Sequence, residues 1–117
     1  MPESFIQATM LYVPMEINGH KFQAFVDTGA QCTIVSLDFA KQVGIDRDID
    51  NRFQGVALGV GQGKIVGRIH AAKLRIGYTH TIECSLQVLT GLNMNFLLGI
   101  DMLKKHRVMF SLTLHSA

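Results

Sequence analysis

The chain has 117 residues, of which 48% are hydrophobic and 17% are charged, and these values are typical of one domain with its own core. Its formal net charge of +2 is too small for the basic surface of a nucleic-acid-binding protein. No apolar stretch approaches the ~20 residues that span a bilayer, and the N-terminus lacks a secretory signal pattern. We therefore expect a single domain over residues 1–117, excised from a longer protein, that binds neither nucleic acid nor membrane.

Neither the cysteines nor the histidines have the spacing of a metal or redox site. Cys32 and Cys84 lie far apart in the chain, and the sequence alone leaves a disulfide between them open. Because no secretory signal precedes them, we expect reduced thiols in a cytoplasmic protein, with the nucleus as a second compartment. The five histidines show no zinc-binding pattern. We expect no metal and no cofactor.

The first predicted elements form a β-hairpin that ends at an acidic residue. Apolar residues alternate over residues 11–17, Asn18-Gly19 is a strong hairpin turn, and residues 20–26 return as the second strand. Asp27 follows this strand directly. The hairpin therefore determines where the Asp27 carboxylate points.

A short helix and a glycine-rich hairpin come next. Ser36 is a suitable N-cap for a helix over residues 37–43, and Gly44 follows its end. Residues 46–52 are polar and are predicted to be a loop. Residues 55–70 are predicted to form two strands around a glycine-rich tip.

The last third of the chain is again rich in strand signals. Strands are predicted over residues 73–76 and 81–89, a buried strand and a short helix within residues 94–106, and a final strand over residues 108–114. Many short strands with two brief helices indicate an all-β barrel or sandwich-like domain.

The glycine-rich stretch "GVGQGK", residues 59–64, could suggest a nucleotide site. Leu58 stands where a P-loop needs glycine, and Ile65 stands where it needs serine or threonine. Lys64 occupies the third glycine position of the dinucleotide pattern. Both nucleotide-binding patterns therefore fail, and a flexible hairpin tip is the better interpretation.

The motif Asp27-Thr28-Gly29 lies inside the apolar run "AFVDTGAQCTIV". A carboxylate in apolar surroundings is costly unless something pairs with it. Two carboxylates held close together share a proton, so one can act as a base and the other as an acid. The chain has one such motif, so a two-fold axis would supply the second carboxylate from an identical subunit.

Three motifs resemble the retropepsin-like aspartic proteases in the right order. "FVDTGA" resembles their active-site turn, the glycine-rich residues 55–70 their flap hairpin, and "FLLGID" their second signature. The residues and spacing of these motifs are especially similar to those in the protease domain of the cellular DNA-damage-inducible ubiquitin-shuttle proteins. This resemblance implies a closed β-barrel with a flap hairpin, one or two short helices and a symmetric homodimer.

The resemblance also implies roles for individual residues. Asp27 would be the catalytic carboxylate, Thr28 would brace the dimer, and Gly29 would contact substrate. Ile100 departs from the arginine of the viral members, and Gln31 departs from their aspartate. The residues that the resemblance places against substrate are Ala30, Gln31, Val60, Gly61, Gln62, Gly63 and Leu97.

The implied function is a homodimeric aspartic endopeptidase that needs neither metal nor cofactor. Its expected partners are a second copy of the chain and polypeptide substrates, including ubiquitinated proteins. The alternative is a dimerisation or peptide-binding module with weak catalysis, because a fold alone does not establish turnover.

Overall fold

The computed structural model describes residues 11–56, 63–77 and 79–107. The strands in this part of the chain are β1 Tyr12–Ile17, β2 His20–Val26, β3 Ile34–Ser36, β4 Gly55–Val56, β5 Lys64–Ile76, β6 His80–Leu89 and β7 Phe96–Leu98. The α-helices are α1 Leu37–Gln42 and α2 Ile100–Lys105. The predicted final strand, residues 108–114, and the glycine-rich tip, residues 57–62, lie outside the described residues.

Six of these strands close into a barrel in the order β1-β2-β7-β3-β6-β5. The ring closes where β1 pairs with β5, with Met15 opposite Ile76, and β4 adds to β5 outside the ring. Closure leaves these strands with paired neighbours and a shared apolar interior. The prediction of an all-β, closed-barrel domain with two short helices is confirmed.

The first hairpin has the predicted turn. Asn18 and Gly19 both have positive φ, 49° and 82°, as the turn best suited to a two-residue hairpin requires. Ile17 pairs with His20, and Tyr12 pairs with Phe25 at the far end. The turn thus sets the register of β2 and the direction in which the chain leaves it at Asp27.

Helix α1 begins and ends where its sequence signals predict. The Ser36 hydroxyl accepts a hydrogen bond from the amide of Phe39 at 3.0 Å, and Gly44 has a φ of 79° just beyond the helix. Phe39 and Ala40 are buried against the barrel. The following segment, predicted to be a loop, contains two 3₁₀ turns, at Asp46–Asp48 and Asn51–Phe53.

Strand β5 is one continuous strand of 13 residues, whereas the sequence predicts two. Its pairing with β6 shifts between Ile69 and Ala72, and the two residues between them are both exposed. A β-bulge of this kind breaks the alternation of buried and exposed residues while the strand continues. That break in period explains the wrong prediction of two strands.

Strand β7 lies between β2 and β3 and pairs with both. It runs parallel to β2, with Leu98 opposite Val26, and antiparallel to β3, with Leu97 opposite Ile34. The chain between β2 and β3 must therefore cross the end of β7. This crossing places residues 27–33 at one edge of the barrel.

Candidate active site

Residues 27–33, the Asp27 turn, hold a carboxylate where solvent can reach it. The Asp27 amide donates to the Leu98 carbonyl at 3.0 Å, and the Ala30 amide donates to the Asp27 carbonyl at 3.1 Å. One carboxylate oxygen, Oδ1, accepts from the Gly29 amide at 3.0 Å. Asp27 is half-buried, whereas Thr28 and Gly29 are exposed. The turn therefore fixes the carboxylate through one oxygen and leaves the group accessible.

Four consecutive residues, Leu98 to Asp101, lie behind this turn, and we call them the backing segment. In addition to the bond that the Leu98 carbonyl accepts from the Asp27 amide, the Ile100 amide donates to the Ala30 carbonyl at 2.9 Å. A β-carbon on Gly99 would lie only 2.5 Å from the Cys32 carbonyl oxygen. Such close approach of two backbones requires glycine at this position.

A buried threonine and an aspartate tie the other end of the turn to the backing segment. The Thr33 hydroxyl donates to Asp101 Oδ1 at 2.8 Å and accepts from the Gly99 amide at 3.1 Å. The Thr33 amide donates to Asp101 Oδ2 at 3.2 Å. Sequence reasoning gave neither residue a role. The available signal was the carboxylate that ends the "FLLGID" signature.

A second apolar cluster lies beside the Asp27 turn, separate from the barrel core, and we call it the outer cluster. Phe96 and Leu98 point into the core, whereas Leu97 belongs to the outer cluster, as alternation along β7 requires. The other members are Phe25, Ala30, Ile34, Ile65, Leu89, Leu92 and Met94. An apolar surface next to a reachable carboxylate can accommodate apolar groups of a bound molecule.

The remaining predicted site residues are distributed around this region. Ala30 and Leu97 belong to the outer cluster, and Gln31 is exposed on the turn. Gly63 is buried directly before β5. Val60, Gly61 and Gln62 lie outside the described residues. Phe25, Leu92 and Met94 were missed because no sequence motif marks them as neighbours of Leu97 and Ala30 in the outer cluster.

A charged cluster forms around Asp50, which lies in the segment before β4. The Asp50 carboxylate accepts a bidentate pair of hydrogen bonds from the Arg52 guanidinium. It also accepts a bond from His70 Nε2 at 2.9 Å. These bonds, those of Arg52 first, hold the pKa of the Asp50 carboxyl well below its ordinary value. Asp50 also exchanges backbone bonds with Arg68 of β5. The cluster fastens the segment before β4 to β5.

The two cysteines differ in environment, and both are free thiols. Cys84 is buried in the barrel core. Its burial, and to a lesser extent the negative charge of Asp101, raises the pKa of its thiol to about 12. Cys32 lies half-buried on the Asp27 turn, where its sulfur accepts from the Gln87 side chain at 3.6 Å.

The described residues have neither a metal-binding cluster nor a membrane-spanning helix. They contain no group of three or more histidine, cysteine or acidic side chains placed to hold a metal ion. None of their helices has the length and apolar character needed to cross a membrane.

The model of one protein family, aspartyl protease, matches residues 2–111 of the chain. DNA damage-inducible protein 1 of Cryptococcus neoformans is 48% identical over 112 residues, which are 96% of this chain and 26% of that protein. UBA domain-containing protein Mud1 of Schizosaccharomyces pombe is 50% identical over 111 residues, 95% of this chain and 33% of that protein. The chain thus spans about a quarter to a third of the length of these relatives.

A solved structure has a similar fold. The retroviral protease-like domain of Ddi1 from Leishmania major superposes with a TM-score of 0.77 at 40% sequence identity. The match covers 86% of this chain and 80% of that chain.

Proposed function

Because the chain belongs to the aspartyl protease family, as a retropepsin-like domain of the DNA damage-inducible protein type, we propose that it is one half of a homodimeric aspartic endopeptidase. The single observation that carries this proposal is the half-exposed Asp27 on a turn fixed by the backing segment. A carboxylate held by the Gly29 amide, on a turn that is itself bonded to the backing segment, is preorganised for chemistry. The catalytic group is then ready before substrate binds.

The proposed site is complete only when two chains meet. Each chain supplies one Asp27, and a two-fold axis beside the exposed Thr28 and Gly29 brings the second carboxylate against the first. Thr28 braces the pair across the axis, and Gly29 offers backbone groups to the substrate. The two carboxyl groups share one proton, because two negatively charged carboxylates at close range repel each other.

The proposed reaction is general acid–base hydrolysis without a covalent intermediate. A water molecule lies between the two Asp27 carboxyl groups. The ionised carboxylate removes a proton from the water while the neutral carboxyl protonates the oxygen of the scissile peptide carbonyl. In the second step, the carboxyl group that took the proton from water gives it to the leaving nitrogen as the C–N bond breaks. The other carboxylate takes a proton from one hydroxyl of the tetrahedral intermediate as its C=O bond re-forms, so each carboxyl group acts once as an acid and once as a base.

The proposed substrate is an extended polypeptide with large apolar side chains at the cleavage site. The outer cluster lies next to the Asp27 turn and contains partly buried Phe25, Leu92 and Met94, so an apolar side chain that covered them would lose contact with water favourably. Its buried members, such as Leu97, form the floor. An extended backbone would pair with exposed backbone groups of the turn.

We also propose that ubiquitinated proteins are among the substrates and that the enzyme acts in the cytoplasm, with the nucleus as a second compartment. Two similarities support this proposal. The sequence resembles the ubiquitin-shuttle proteins, and one relative is a UBA domain-containing protein. Cleavage of the same polypeptide with and without an attached ubiquitin chain, by the full-length protein, tests it.

The test of the endopeptidase proposal is an Asp27→Asn substitution. We expect wild-type protein to cleave a quenched fluorescent peptide with apolar residues flanking the bond, and the variant to lose cleavage while keeping its fold and dimer. Asp48→Asn is the matched control, because Asp48 is an exposed carboxylate in a 3₁₀ turn and should leave the rate unchanged. Circular dichroism and sedimentation report fold and assembly.

Three results would count against the proposal. Undiminished turnover by Asp27→Asn would remove Asp27 from the chemistry, and an active monomer would remove the shared pair. Peptide binding without any Asp27-dependent turnover in wild type would favour the binding module.

A further inference from the structure

We propose that Asp101 is a positioning residue for Asp27, acting through Thr33 and the backing segment. The inference rests on the proposed function, because it assigns a residue that supports the same reaction. Asp101 lies 74 residues after Asp27 in the chain and does not belong to the Asp27 turn. Its carboxylate nevertheless bonds twice to the residue that ends that turn.

The first step is that the hydroxyl, amide and carbonyl groups of Thr33 all have hydrogen-bond partners. Thr33 is fully buried, so its hydroxyl and amide need protein partners. The hydroxyl donates to Asp101 Oδ1 and accepts from the Gly99 amide, and the Thr33 amide donates to Asp101 Oδ2. The Thr33 carbonyl accepts from the Gln87 amide of β6 at 3.1 Å.

The second step is that both ends of the Asp27 turn depend on the same four residues. Asp27, at the start, bonds to Leu98, and Thr33, at the end, bonds to Gly99 and Asp101. The middle of the turn is bonded through Ala30 to Ile100. If the Thr33 end is released, the turn can pivot about its remaining bonds, and the Asp27 carboxylate moves with it.

The third step is that this position requires a carboxylate. Oδ1 accepts from the Thr33 hydroxyl and from the Met102 amide at 2.7 Å, and Oδ2 accepts from the Thr33 amide. Both oxygens therefore face donors. An asparagine has one acceptor and one donor, so its NH₂ group would face an N–H or O–H donor whichever way it is turned. Bonds to a charged acceptor are also the stronger kind.

The expected kinetic result is a loss of kcat with little change in KM. Misplacement of a reacting group by about 1 Å can cost ~10²-fold in rate, so we expect Asp101→Asn and Thr33→Val to lower kcat by about 10- to 100-fold. Thr33→Ser keeps the hydroxyl and should retain kcat within about 3-fold of wild type. The double variant Asp101→Asn/Thr33→Val should lose no more than the worse single variant, since both remove one connection.

A measurement without substrate tests the same connection. Hydrogen exchange of the Asp27 and Ile100 amides, which bond across the turn and the backing segment, should accelerate in Asp101→Asn. Exchange within the β5–β6 ladder should not change. Ser36→Ala is the matched control, because it also removes a buried hydroxyl bond but lies outside this connection, and it should alter neither kcat nor exchange at Asp27.

The outcomes separate this inference from the proposed function. Wild-type kcat and wild-type exchange at Asp27 in Asp101→Asn would overturn the positioning role even if Asp27-dependent cleavage is established. Absence of Asp27-dependent cleavage in wild type would overturn the proposed function, whereas the exchange experiment would still decide whether Asp101 holds the turn. If Thr33→Val fails to fold, a comparison of Asp101→Asn with Thr33→Ser decides the question. Their kcat values and exchange rates are then measured on assemblies of equal size.

Discussion

Leu97 of β7 and Ile34 of β3 lie opposite each other in an antiparallel pair and both face away from the barrel core. Each is 7% exposed, so they are covered by other members of the outer cluster and not by the main core. The next residue along β7, Leu98, is fully buried in the barrel. One strand thus serves folding with one face and the candidate site with the other.

Truncation of Leu97 should change substrate preference, which truncation of the neighbouring Leu98 should not. We expect Leu97→Ala to lower kcat/KM for peptides with large apolar side chains by about 10-fold, because removal of pocket methylenes is worth ~1–3 kcal/mol. Peptides with small side chains should be less affected. Leu98→Ala is the matched control and should destabilise the protein by ~2–5 kcal/mol without altering preference. Equal losses for all peptides in Leu97→Ala would contradict a pocket role.

Substitution of Gly99 should disrupt the Asp27 turn. A β-carbon there would lie 2.5 Å from the Cys32 carbonyl oxygen, so Gly99→Ala must push the turn away from the backing segment. We expect a lower melting temperature and loss of peptide cleavage. At Gly55 the nearest atom would lie 3.8 Å away, so Gly55→Ala should change stability by less than about 0.5 kcal/mol. Equal behaviour of the two variants in thermal unfolding would disprove the close-approach argument.

The two thiols should differ in reactivity. Burial raises the pKa of the Cys84 thiol to about 12, and the thiolate is the reactive form. At about pH 8 we expect one fast-reacting thiol per folded chain, which is Cys32, and two after denaturation. Cys32→Ser should abolish the fast phase, and Cys84→Ser should preserve it. A fast phase that survives in Cys32→Ser would show that the barrel opens readily.

The Asp50 cluster predicts a specific pH dependence of stability. The pKa of Asp50 is lowered in the folded protein, so its contribution is fully present above the unfolded value of 3.8 and is lost as the pH falls below that value toward the folded pKa. Wild type should therefore be more stable than Asp50→Asn at about pH 6, and the difference should shrink toward about pH 3.

Urea unfolding at several pH values measures this difference. Asp48→Asn provides the comparison, since Asp48 is exposed in the neighbouring 3₁₀ turn. A stability gap between wild type and Asp50→Asn that grows on acidification would have the wrong sign and would exclude the ion-pair explanation.

Local signals in the sequence predicted the elements that surround Asp27. Asn18-Gly19 specified its own turn because both residues tolerate positive φ, and Ser36 specified the start of α1 through one side-chain bond. The hairpin and the helix are determined by residues that lie within a few positions of each other. For that reason a sequence pattern identified them.

The contacts that complete the site are not local and could not be read from spacing. Thr33 and Asp101 are 68 residues apart, and neither has a pattern that names the other. Their contact exists because β7 enters between β2 and β3. The continuous β5 was predicted as two strands for a different reason, since its bulge changes the residue period without ending the strand.

The insertion of β7 between β2 and β3 has a consequence for the order in which the protein forms. Asp27 and its flanking strands, the last of which ends at Ser36, leave the ribosome 60 residues before β7 begins at Phe96. Until that strand arrives, β2 and β3 have no partner between them, and the long-range closure makes this step slow. A nascent chain that stops before Phe96 should therefore lack the contacts that fix the Asp27 turn and, under the proposed function, should not cleave peptides.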